Sequence, residues 1–174
     1  EDIGRARLLA VGIGDLVAMG EADLRMAQLE IARGRPAVAV RTAQNAMAST
    51  CRLARVQGWA LALYNMIEAR QYLLEHKEAL DELSKYEKDT STLQDLQLRG
   101  LLSLARAEAL FEVGRLAEAA EIAQHVSEQP SHSESLKFTA DLKLLKIALA
   151  SRDYPRAVQL AMQLPAERSE VFTV

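Results

Sequence analysis

The chain has 174 residues, 49% of them hydrophobic and 5% aromatic, enough apolar surface for one domain or one short repeat array and too much for a disordered segment. Its 21 Lys and Arg against 24 Asp and Glu leave a net charge of -3, which gives the whole chain no electrostatic pull toward nucleic acid or an anionic membrane. Alanine and leucine dominate the apolar set, and both lose little side-chain entropy in a helix, so the expected class is all-α.

In chain order, residues 1–20 carry Ile3, Ala6 and Ala10 at helical spacing. They fit an N-terminal helix left over from a preceding unit, with Gly12 to Gly14 expected to fray or interrupt it. The apolar stretch from Leu8 to Met19 is broken by Gly12, Gly14 and Asp15 and falls short of the roughly 20 residues that span a bilayer. A first helical pair is expected over 21–52, turning at Arg33-Gly34-Arg35-Pro36. Glycine takes a left-handed backbone cheaply there, and proline in a first helical turn gives up an amide that has no partner anyway. A second pair over 53–90 holds Trp59, Tyr64 and Tyr72. The two tyrosines share a helical stripe and are expected either to pack against the next pair or to form an aromatic ligand platform.

The third pair, over 91–130, is expected to open at Thr90 to Thr92, because Gln94 and Asp95 stand three residues after Ser91 and Thr92 as in a capping box. It should run to about Val113, stop at Gly114 and resume on the stripe Leu116, Ala119, Ala120, Ala123 and Val126, which has the 3.6-residue period of a helix. The fourth, over 131–165, should begin near His132 on Ser131-x-x-Glu134 after Pro130, and turn at Arg152-Asp153-Tyr154-Pro155, again with proline in the first turn. Residues 166–174 read as a tail or the start of a further element, and the chain, opening on Glu1 without Met, reads as a segment of a longer protein.

These pairs share a register. Ala39, Ala79, Ala119 and Ala157 fall in equivalent places at spacings of 40, 40 and 38. Four residues on stand Ala43, Leu83, Ala123 and Ala161, and fifteen before the first set stand Leu24, Tyr64, Leu104 and Leu142. Three apolar or small columns in one register across four copies imply a repeated two-helix unit of about 40 residues.

With that register the residues resemble the tetratricopeptide repeat, which places a small residue in its first helix, Gly before the turn, a large residue, then Ala and a second Ala. The third copy reads Ala107, Gly114, Leu116, Ala119 and Ala123, and the fourth reads Leu145, Arg152, Tyr154, Ala157 and Ala161. The first supplies Ala27, Gly34, Ala39 and Ala43 with Pro36 in the large place, whereas the second has Ile67, Leu74 and His76 in place of small, Gly and aromatic. The unit length resembles that of regulatory repeats such as those of MalT-like transcriptional activators. The resemblance implies a right-handed superhelical array of about four hairpins, with a concave face built by the first helices. It implies groove positions at Arg25 and Gln28, at Tyr64, Asn65, Glu68 and Gln71, at Glu108 and Glu112, and at Lys143 and Lys146. A protein or peptide partner follows from it, with a small-molecule effector of a larger regulator as the alternative. Glu68 and Glu108 would repel a terminal carboxylate, so basic or apolar anchors are expected in the partner.

No set of residues for chemistry emerges. Gly12-x-Gly14 with Gly20 lacks the third glycine of a dinucleotide loop, Val17 standing in its place, and no strand pattern precedes it. His76, His125 and His132 occupy different positions in the unit without a second ligand at metal spacing; capping or surface roles are expected for them, and neither metal nor cofactor. Adjacent carboxylates such as Asp81-Glu82 point to different faces of a helix and cannot act jointly as acid and base. The single cysteine, Cys51, excludes an internal disulfide and fits the cytoplasm; Arg52 and Arg55 beside it could lower its pKa, while a free buried or half-buried thiol is the plainer reading. Residues 1–60 hold eight arginines, no lysine and six acids. That excess suits solvated helix faces, or an anionic partner near Arg33, Arg35, Arg41, Arg52 and Arg55.

Overall fold

The computed structural model describes residues 2–52 and 56–164, and the regular elements among them are ten α-helices with no strand. They are α1 (Asp2–Ile13), α2 (Leu16–Ala32), α3 (Pro36–Arg52), α4 (Val56–Tyr72), α5 (His76–Lys85), α6 (Glu87–Ser91), α7 (Leu96–Glu112), α8 (Leu116–Glu128), α9 (Glu134–Ala150) and α10 (Tyr154–Gln163). No helix among the described residues is long and apolar enough to cross a membrane. The expectations for residues 166–174, for Arg55 and for the side chains of Cys51 and Arg52 lie outside the described residues.

Four turns have one geometry. Gly34, Leu74, Gly114 and Arg152 all take positive φ, at 70°, 60°, 84° and 59°. Each donates its amide to the carbonyl three residues back, and the next residue donates to the carbonyl five residues back, as in Arg35 to Glu30, Glu75 to Arg70, Arg115 to Leu110 and Asp153 to Ala148. Paired bonds of this kind satisfy carbonyls that the helix end would otherwise leave open. Leu74 therefore performs a turn for which the sequence offers no glycine. Gly14 closes α1 in the same way, with φ 70°, so the interruption falls at Gly14 while Gly12 remains inside α1.

Several helix starts differ from the sequence expectation, because the strongest local acceptor is not the first one met. Asp15 caps α2 by accepting from the amides of Val17 and Ala18, which puts the opening helix of the first pair at Leu16 rather than residue 21. Asp95 caps α7 by accepting from Leu98; Thr90 and Ser91 instead end the short α6 and bond back to Glu87 and Lys88. Ser133, not Ser131, caps α9.

The helices that open successive pairs, α2, α4, α7 and α9, touch in that order, and each closing helix also packs on the opening helix of the next pair: α3 on α4, α5 on α7, α8 on α9. The alanine columns explain how. Ala39, Ala79 and Ala119 are fully buried and Ala157 nearly so, as are Ala43 and Ala123. A methyl group at the crossing lets two backbones close without a void. The largest core cluster runs from Leu24 through Leu63, Met66 and Ile67 to Leu98 and Leu102, and two smaller ones join α7, α8 and α9, one of them reaching α10 through Leu160. Ala161 breaks the pattern: it is exposed, because α10 packs on α9 and no described helix follows it.

His132 is buried, against the expected capping or surface role, and its Nδ1 lies 2.9 Å from the Val126 carbonyl. It packs where Gly100 on α7 leaves room, since a Cβ there would lie 2.4 Å from Leu136 and 3.2 Å from the imidazole.

Candidate functional site

The face that α2, α4 and α7 leave uncovered carries a groove of about 980 Å³. Glu21 and Leu24 of α2, Gln57 and Leu61 of α4, and Leu98 and Leu101 of α7 line it, and residues Thr92 to Asp95 close one end. The buried side of α4 is taken by Ala60, Leu63, Met66 and Ile67, so Leu61 and the residues at helical spacing after it, Tyr64, Glu68 and Tyr72, share the less buried side; Leu61 lines the groove, and Leu61 and Tyr64 still pack partly against the core. Tyr64 and Glu68 are half-buried and Tyr72 is 65% exposed. Trp59 goes elsewhere, meeting the Tyr86 ring edge to face at 5.2 Å.

Burial, then the neighbouring Glu68 carboxylate and Tyr72, push the Tyr64 phenol up to about 12. Burial raises Glu68 above its ordinary 4.5. Among the described residues neither Tyr64 nor Glu68 has a hydrogen bond or ion pair. A half-buried carboxylate without a partner is disfavoured in its charged form.

Forty residues on, the same position is filled. Glu108 of α7 accepts from Lys143 and Lys146 of α9, the second at 2.7 Å, and Lys146 also reaches Glu112 at 3.0 Å. The Lys146 ammonium sits 4.3 Å from the centre of the Phe111 ring. Burial would raise the Glu108 carboxyl, yet the bonds and charges of the two lysines outweigh it and hold it below its ordinary value. The expected repulsion by Glu108 is therefore corrected: the lysines, 35 and 38 residues further along the chain, neutralise it from the neighbouring helix α9, and of the two acids invoked only Glu68 has no ion pair among the described residues.

Two more of the expected groove residues are engaged between helices. Asn65 is 1% exposed and its amide approaches the Leu24 carbonyl at 3.5 Å, so it joins α4 to α2 inside the core. Gln71 donates to the Ala105 carbonyl at 2.9 Å and ties α4 to α7. Arg25 and Gln28 are exposed on α2. Leu61 and Leu101 had not been singled out, although they stand 40 apart, each three residues before Tyr64 and Leu104. A fourth column in the register would have found them.

A second concavity of about 440 Å³ lies between α6, α7 and α8, lined among others by Arg99, Ser103, Arg106 and His125. Its arginines are engaged with α6: Arg106 pairs with Glu87 at 2.6 Å and Arg99 reaches the Ser91 carbonyl at 3.4 Å. Among the described residues no group of three His, Cys, Asp or Glu could hold a metal ion. Comparisons of the chain with protein-family models, with curated proteins and with solved structures find no match.

Proposed function

We propose that the chain is a non-catalytic, tetratricopeptide-like scaffold, a right-handed array of four hairpins whose groove on α2, α4 and α7 holds an extended or helical segment of a protein partner. The observation that carries this reading is the open groove itself, lined by the half-buried Leu61 and Leu101 beside the core residues Leu24 and Leu98. Half-covered apolar side chains in a concave strip, flanked by polar residues, suit anchors presented at helical or alternating spacing. The recurrent turn at Gly34, Leu74, Gly114 and Arg152 supports the array, because it sets the opening helices side by side each time.

Selection from a random twelve-residue peptide library on the immobilised chain tests the reading. Enriched peptides should bind Leu61→Asp about tenfold more weakly, which corresponds to about 1.4 kcal/mol, while Glu121→Lys on the exposed side of α8 binds as the wild type does. Absence of enrichment, or undiminished binding to Leu61→Asp, overturns it.

A further inference from the structure

We propose that Glu68, flanked by Tyr64 and Tyr72 on α4, is the recognition point for one lysine or arginine side chain of the bound segment. The proposal rests on the groove reading above and specifies the chemistry of one anchor. Its support is an internal comparison between two rungs of the same ladder.

In the 40-residue register Gln28, Glu68, Glu108 and Lys146 occupy equivalent positions on α2, α4, α7 and α9. At Glu108 the molecule shows what a carboxylate in this place takes: ammonium groups from the neighbouring helix, one of them held over an aromatic ring. Glu68 has the same acid and its own rings, but the neighbouring helix supplies no cation. Where α9 offers Lys143 and Lys146 to Glu108, α7 offers Ala105 and Glu108 to Glu68, and α2 on the other side offers Gln28. Glu108 is already matched by its lysines. Arg25 makes no ion pair with Glu68 and does not lower its pKa.

A side chain with a positive head and an apolar stem fits what remains. The head meets the carboxylate beside the two tyrosine rings, and the stem lies along the apolar surface of Tyr64 and Leu61. Binding also relieves the unfavourable burial of an unmatched charge. An acidic or neutral polar anchor would do neither.

Two measurements test it. In NMR of the labelled wild type, butylammonium chloride should shift the Tyr64 and Tyr72 ring signals to saturation and move the Glu68 carboxyl titration to lower pH; sodium chloride at equal ionic strength should do neither. Glu68→Gln, nearly isosteric, should abolish the saturable shift. Gln28→Lys, on an exposed site, should weaken it by placing a cation on the adjacent rung. In the peptide selection, wild-type winners should share a basic residue whose replacement by norleucine lowers affinity about fivefold, and this loss should vanish on Glu68→Gln. Winners that bind through Leu61 without a basic residue, or an unchanged ammonium response in Glu68→Gln, overturn the cation site while leaving the groove; no winners at all overturn the groove. Winners with an acidic residue in that place overturn the site as well.

Discussion

Leu74 holds φ 60° with its side chain 77% exposed. A left-handed backbone places a Cβ close to the following carbonyl, at about 1 kcal/mol, and an exposed side chain recovers little by packing. Leu74→Gly should therefore stabilise the chain by about 0.5 kcal/mol, after the larger unfolded-state entropy of glycine is subtracted. A urea melt reads the change directly; a lower midpoint would mean that Leu74 packs more than its exposure indicates. Gly34 and Gly114 were legible from the sequence because glycine announces the conformation. Nothing in the residue type of Leu74 or Arg152 favours positive φ; the Arg152 turn was marked by Pro155 after it, and the Leu74 turn only by the register.

At the scale of the helix, α7 and α9 are joined by the group of Glu108, Glu112, Lys143 and Lys146. The folded pKa of Glu108 lies below its ordinary value, so the unfolded chain takes up the proton first as pH falls. The contribution is complete above the ordinary glutamate range and is lost as pH falls through the folded value. Urea melts from neutral to acid pH should show the wild type ahead of Glu108→Gln by about 1 kcal/mol near neutrality, with the gap closing in acid. A gap that persists or widens in acid would assign the difference to packing. Glu68, raised rather than lowered, has the opposite sign: its favourable term is present in acid and is lost as pH rises through the folded value. The sequence placed these acids and lysines on one face but could not pair them, because a salt bridge between residues 38 apart depends on how far two helices are displaced along each other. Helix existence and hairpin turns, by contrast, follow from period and backbone preference within a dozen residues. Helix starts were less legible, since Thr92 and Asp95 both offer a cap and only the packing of α6 against α7 decides between them.

Across the whole molecule, α1 packs on α2 and α10 on α9, whereas α4 and α7 each meet several helices and hold most of the largest core. Stability in such an arrangement is a sum of neighbouring interfaces, so the outermost helices open most easily. Amide hydrogen exchange should give the least protection in α1 and α10 and the most in α4 and α7; uniform protection would show a single cooperative unit instead. The same outermost helices hold the most uncovered apolar groups, Leu8, Leu9 and Ile13 on α1, Val158 and the 81% exposed Met162 on α10. Wettability thus varies with position in the chain, oily in the first and last described helices and charged between them. In solution handling this is the behaviour of a weak surfactant: the protein should adsorb to air bubbles and plastic through those two helices, and a trace of mild detergent should protect it without entering the groove.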